Sequence, residues 1–280
     1  MAEASLWLQQ NYSADPFFLV IESFDPHEPW FVPEWYRRPY DDTEGPEQVI
    51  SFYESTDCLS EELIRRTRAN YSGLVTMCDR WFGHLCDTLS AQGRWDDTLV
   101  IVTADHGHSI GDRDYMGKRG YPSSPEVYDL PLFIRHPQGT GAGQRSDLLV
   151  QHTDIAATIL DLARVQPSRP MEGRSFWKQA TQGGQPIRDH VTVGWGSAIT
   201  VIKDQWWLNI KVNGKGAFLH NLADASPFAT NLADKQPAVV REMFAIGAQD
   251  ASGGFPDFLL KMAEEQEDAP GCSALAARTL

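Results

Sequence analysis

Thr98-Leu-Val-Ile-Val-Thr-Ala-Asp-His-Gly107 is the stretch from which the rest of the chain is read. Leu99, Val100, Ile101 and Val102 form a short apolar run rich in β-branched side chains, the pattern of a strand covered on both faces. Asp105, His106 and Gly107 follow at once. Ligands of open α/β sheets bind outside the carboxyl ends of strands, so chemistry is expected here. A carboxylate beside an imidazole can hold a divalent cation, and glycine lets the backbone turn without a Cβ clash. The plainer alternative is a strand-end turn capped by Asp105, with His106 merely polar. Three residues alone do not separate the two.

Upstream, Leu63, Ile64, Thr67, Tyr71, Leu74, Val75, Cys78, Phe82, Leu85 and Leu89 recur at three- and four-residue steps. That predicts an amphipathic helix over 61–92, stopped by Gly93 as its C′ residue. Phe17–Ile21 reads as a second buried strand, ending in Glu22-Ser-Phe-Asp-Pro-His-Glu-Pro-Trp30. Alone, that turn is a surface loop with a stray His27 between Asp25 and Glu28. Residues 3–11 read as the end of a helix, and 31–58 as an ordered loop with one helical turn. Two parallel strands with a helix between them would make an α/β sheet with crossover helices.

Downstream, residues 108–128 read as a polar loop holding Asp112, Arg113, Asp114, Lys118 and Arg119. Leu130–Ile134 is a third apolar run, and Pro131 puts it at a strand start or an edge. Thr153 is expected to cap a helix carrying Ile155, Ile159 and Leu162. Residues 164–189 are linker-like. Beyond His190 four short runs (191–193, 198–203, 206–212 and 217–222), split by Gly, Asp and Asn, predict an antiparallel meander. A helix over about 238–248 follows, and the last dozen residues look frayed. The expected organisation is an α/β body over 1–180 and a small antiparallel sheet with a helix over 181–280.

With 280 residues, 42% apolar and 22% charged, the chain can bury a sizeable core. Its net charge of −14, scattered along the sequence, argues against nucleic acid as a partner. An anionic substrate would have to be met by local cations or a metal. No run approaches the ~18 apolar residues of a membrane span, so no membrane partner is expected. The N-terminus is no signal peptide, and a chain starting at Met1 would be cytoplasmic; the compartment of any longer form is left open. Cys58, Cys78, Cys86 and Cys272 form no C-x-x-C pair, so no zinc knuckle or redox motif is expected. Cys78 and Cys86, eight apart in a helical pattern, read as buried thiols.

Residues 98–107, with Gly111-Asp112, Gly117-Lys118 and Leu130-Pro-Leu-Phe-Ile134, resemble the sulfatases of the alkaline phosphatase superfamily. That family shows a strand, Asp-His-Gly or Asp-Asn-Gly, a Gly-Asp, a Gly-Lys and a Val-Pro-Leu strand in this order. The spacing from Asp105 to Lys118 is common in its bacterial members. Asp25-Pro-His-Glu-Pro-Trp30 is similar to its Pro-His-x-Pro loop, and Tyr71-Ser-Gly-Leu-Val-Thr-Met-Cys-Asp79 to the helix before its second metal strand. His220-Asn-Leu222 through Thr230-Asn-Leu-Ala233 resembles the end of its C-terminal subdomain.

The resemblance implies an α/β fold: part of an alkaline-phosphatase-like sheet flanked by helices, plus the small antiparallel sheet. It implies metal-dependent hydrolysis of a small-molecule or glycan sulfate ester. A divalent ion, Ca²⁺ first and Mn²⁺ or Mg²⁺ next, is implied at Asp105 and His106. Lys118 is implied to contact the sulfate as a point charge, and His27 to stand on the leaving-group side. Such hydrolysis needs charge neutralised on non-bridging oxygens and help for the departing oxygen. Asp25, Glu28, His108, Asp112 and Asp114 are expected to support the site or stiffen its loops.

The family also carries two N-terminal Asp ligands and a Cys-x-Pro-Ser-Arg signature, whose Cys becomes the formylglycine nucleophile. No cysteine here begins that signature, so no nucleophile is expected in this chain. Val165-Gln-Pro-Ser-Arg169 echoes it by coincidence, with Val at the reactive position. The family's N-terminal third is expected to lie outside the chain, leaving a sheet edge that favours self-association. One carboxylate and one imidazole alone should hold Ca²⁺ poorly, since it takes about six to eight oxygens. Three functions stay open: part of a sulfatase; a phosphoric or phosphonic ester hydrolase, which His106 in place of Asn also suits; and a non-catalytic module that keeps the scaffold.

Overall fold

A computed structural model describes residues 1–44 and 53–265. It divides into two units, one of Met1–Lys118 with Pro125–Gly139, the other of Arg119–Ser124 with Thr140 onward. In the first unit, α1 (Ala2–Gln10) buries Ala4 and Leu8, one helical turn apart. The single turn α2 (Glu34–Arg37) and the short strand β1 (Glu54–Ser55) follow. The long helix α3 (Glu61–Ala91) matches its sequence period. Ser60 Oγ accepts from Leu63 N at 3.2 Å as its N-cap, Glu61 and Glu62 suit the positive end of the helix dipole, and Gly93 takes φ +69° just past its end. Glycine is required at Gly73, where a Cβ would meet Val32 at 2.9 Å and the Tyr36 backbone at 3.1 Å. Cys78 and Cys86 are free thiols, half-buried rather than buried.

The strand of the Asp-His-Gly segment is β2 (Val100–Thr103). The expectation of parallel strands fails: every strand pair among the described residues is antiparallel. The pairing partner of β2 is the third apolar run, not Phe17–Ile21. Phe17, Leu19 and Ile21 do alternate toward α1 and α3, joining Ala4, Leu8, Leu85, Leu89 and Val100 in one cluster. Their backbone is extended but joins no sheet among the described residues, and the other face stays open, with Phe18 74% and Val20 72% exposed. Likewise β2 is half-buried rather than covered on both faces.

Residues 108–128 are not a loop. They fold into β3 (Ser109–Asp112), β4 (Tyr115–Gly117) and the helical turn α4 (Pro125–Tyr128). Arg113 and Asp114, at φ 49° and 56°, make the two-residue turn that matches strand twist. Gly111, at φ +78°, is an extra residue in β3 between Ile110 and Asp112. Ile110, Tyr115 and Met116 are buried, which fixes the hairpin despite its polar tip. The unit ends in β5 (Leu132–Arg135), which starts just after Pro131 and pairs with β2 at Ile101↔Ile134.

The second unit holds α5 (His152–Leu162), capped two residues earlier than expected: Gln151 is the N-cap, Thr153 lies inside the helix, and Gln151 N donates to Asp154 Oδ2 at 2.8 Å. Asp154, fully buried, also accepts from Arg174 N and pairs with Arg188. One helix, α6 (Trp177–Gln182), interrupts the linker-like segment. The meander is present as β6 (His190–Trp195), β7 (Ala198–Lys203), β8 (Trp206–Lys211) and β9 (Phe218–Asn221), paired in chain order. Two helices back it, α7 (Pro237–Asp250) and an unexpected α8 (Asp257–Glu265). Ile199, Val201, Leu208, Ile210, Leu219, Met243 and Ala263 form its core. Each large apolar side chain buried there contributes about 1.5–3 kcal/mol. The chain end expected to fray, with Cys272, lies outside the described residues.

Candidate active site

The β3–β4 hairpin sets the site. Its register pairs Ser109 with Gly117, so the flanking residues His108 and Lys118 emerge side by side. Before it, Gly107 N donates to Val127 O at 2.7 Å, and a Cβ on Gly107 would lie 2.0 Å from Glu126 O. Glycine is therefore needed for close approach to α4, more than for its freedom to turn. The opposite wall is the Pro26–Trp30 loop. Trp30 is buried, donates from Nε1 to Pro26 O at 2.9 Å, and stands edge-on to His108 at 5.1 Å. The aromatic residues over 30–40 divide: Trp30 is a packing anchor, while Phe31, Trp35 and Tyr40 are exposed.

His27 and Lys118, far apart in sequence, are in direct contact. A carbonyl only accepts, so the 2.5 Å contact of His27 Nδ1 with Glu28 O makes Nδ1 the protonated nitrogen. The Nε2 lone pair then accepts from Lys118 Nζ at 2.9 Å. Lys118 Nζ also lies 3.1 Å from Glu28 Oε1. Tyr53 OH donates to the same oxygen at 2.6 Å, and His108 Nδ1 is 3.7 Å from Oε2. Burial opposes ionisation of Glu28, but hydrogen bonds from Tyr53 and Lys118 and the field of His108 outweigh it, holding the carboxyl down at about 2. Burial pushes His108 down to about 4; the Glu28 charge resists this while Lys118 and the neighbouring histidines add to it. The Tyr53 phenol is pushed up, first by burial and then by its bond to Glu28.

Asp105 and His106 stand beside this cluster, the rings of His27 and His106 being 6.4 Å apart. Asp105 Oδ1 accepts from His106 N at 2.8 Å, and Oδ2 lies 3.6 Å from His106 Nε2. His106 Nδ1 donates to Gly107 O at 3.1 Å, so Nε2 carries the lone pair on the side of Asp105. Two donors so spaced can share one cation at ordinary metal–ligand distances. They are not a full shell: among the described residues no three His, Cys, Asp or Glu side chains gather to hold a metal. The Asp105 side chain is 86% exposed.

The supporting residues divide. Asp112 Oδ2 accepts from Ile110 N at 3.0 Å and Asp114 O from Thr56 N at 3.1 Å, so both stiffen the hairpin. Asp25 acts elsewhere, its charge adding to the burial that raises the Cys78 thiol to about 11. Glu28, expected only to assist, is the hub of the cluster. Tyr53 was not legible, since it lies in a stretch without period and touches a residue 25 positions away.

A protein-family model described as Sulfatase matches residues 1–165. The chain belongs to the sulfatase family. The multifunctional alkaline phosphatase superfamily protein PehA of Trinickia caryophylli is 30% identical over 210 residues, 65% of this sulfatase-family chain and 40% of PehA. The arylsulfatase of Clostridium perfringens is 24% identical over 202 residues, 66% of this chain and 42% of that protein. The crystal structure of the phosphonate monoester hydrolase of Agrobacterium radiobacter superposes with a TM-score of 0.72 at 23% identity, covering 94% of this chain and 60% of that one. That likeness supports the alkaline-phosphatase-like α/β fold with its small antiparallel sheet. The sulfatase-family chain spans about two fifths of the length of these curated relatives.

Proposed function

We propose that this chain carries part of the active site of a metal-dependent sulfatase, which hydrolyses sulfate esters of small molecules or glycans. The observation that carries the reading is the 2.9 Å contact between His27 Nε2 and Lys118 Nζ, two residues that the family resemblance independently assigns to the sulfate. Lys118 meets a sulfuryl oxygen as a point charge. His27 stands on the leaving-group side, where its Nε2 accepts from Lys118 and steadies that charge. Asp105 and His106 contribute to a divalent cation, Ca²⁺ before Mn²⁺ or Mg²⁺, with the other ligands supplied from outside these 280 residues. A bound cation neutralises charge on the non-bridging oxygens. We assign no nucleophile within the chain; the proposal puts it in sequence beyond these residues.

The test is metal-dependent hydrolysis of 4-nitrophenyl sulfate by the product of the full reading frame that contains this chain. Asp105→Ala and His106→Ala are each expected to abolish it, and undiminished activity in either overturns the metal assignment. A phosphonate monoester assayed alongside weighs the second reading. His106 and the fold likeness to a phosphonate monoester hydrolase favour that reading. Faster turnover of the phosphonate would make it the better description.

A further inference from the structure

Lysine carries its charge on a flexible four-carbon stem, so what it touches fixes its aim. Two contacts fix Lys118: Glu28 Oε1 at 3.1 Å and His27 Nε2 at 2.9 Å. Glu28 governs both. Its carboxylate makes the first, and its carbonyl, by accepting the Nδ1 proton of His27, leaves the Nε2 lone pair that makes the second. Tyr53 donates to the same carboxylate oxygen at 2.6 Å. The Trp30 bond to Pro26 O closes the loop that carries Glu28. A carboxylate is a costly neighbour for a lysine that must meet an anion, because its charge repels that anion. Its presence calls for a positional reason, and the network supplies one.

We propose that Glu28 is the positioning residue of this site, its carboxylate directly and its carbonyl through His27 together aiming Lys118 Nζ, a role that rests on reading Lys118 as sulfate-facing. An ammonium has three N–H donors; two are engaged here, and one is left for the ester. Tyr53 then serves Glu28 rather than the substrate.

The test needs no turnover. The chain is acetylated with acetic anhydride, and Lys118 modification is read by peptide mass spectrometry against the exposed Lys178 and Lys235. An amine with engaged donors must break those contacts before it attacks. Glu28→Gln is expected to speed Lys118 labelling about tenfold, the order set by one charge-assisted hydrogen bond, with the reference lysines unchanged. Glu28→Asp should restore part of the protection. Tyr53→Phe should give about a threefold rise, and it reads the same carboxylate if Glu28→Gln does not fold. Unchanged Lys118 labelling in a folded Glu28→Gln chain overturns the proposal, as does an equal rise at all three lysines. Inorganic sulfate probes the underlying reading separately. Protection of Lys118 by sulfate supports it; no protection, with the Glu28→Gln rise intact, removes the sulfate assignment and leaves the positioning role.

Discussion

The β6–β9 sheet and the β2–β5 pair use similar apolar runs to different ends. In the first, Val201, Leu208 and Leu219 are completely buried against α7 and α8. In the second, which bears the Asp105–His106 end, β2 is only half-covered and Phe133 of β5 is 67% exposed. The contrast separates two duties. One sheet supplies its own core within the chain; the other carries the site on a surface that still offers apolar side chains and, at Phe17–Ile21, an extended backbone without a ladder.

Four substitutions test this contrast. Leu208→Ala should cost about 3 kcal/mol in urea unfolding, the range for deleting a buried leucine; a loss below about 1 kcal/mol would deny that sheet its self-sufficient core. Gly107→Ala should cost about 2 kcal/mol, because a backbone oxygen, not a movable side-chain tip, occupies the Cβ position. It should also weaken Mn²⁺-induced relaxation of nearby amide signals in NMR; a wild-type response would detach the turn from the metal.

Third in size is a pH effect in the first unit. Hydrogen bonds from Thr43, and then Arg65, hold Asp41 down at about 2, below the usual carboxylate range, despite burial. The unfolded chain therefore takes up this proton first. The stabilisation is complete above about pH 4 and is lost as pH falls toward 2. Asp41→Asn should flatten that slope and cost on the order of 1 kcal/mol at pH 7, with Arg65 more than half exposed. An unchanged slope in acid titration followed by circular dichroism would refute this. Smallest, Phe133→Thr should change stability by less than about 0.5 kcal/mol while reducing self-association in sedimentation velocity. A loss like that of Leu208→Ala would show that the β2–β5 face is covered after all.

The same contrast explains what the sequence allowed. The α3 period was legible because it runs through many turns, and the meander because Gly, Asp and Asn punctuate it. Strand direction was not, since the β2–β5 pairing joins residues about 30 apart that no local pattern links. The β3–β4 hairpin carries no such signal, because its strands are short and its tip is charged, which leaves Ile110, Tyr115 and Met116 isolated in the sequence. At the site, His27, Asp105, His106 and Lys118 were named from motifs and are found as neighbours. The group joining several of them, Glu28 with Tyr53, depends on a contact between segments and could be seen only in three dimensions.

The hairpin between His108 and Lys118 also acts as a ruler. Its cross-strand pairs, not the number of tip residues, hold the two ends together. Residues added at Arg113-Asp114 would lengthen the tip and leave both ends in place. A single residue inserted within either strand would instead turn every following side chain to the opposite face, Lys118 included. Gly111 already uses the one out-of-step residue that the ladder absorbs. Length variation among relatives should therefore collect at the tip, while the strand segments beside His108 and Lys118 keep their count.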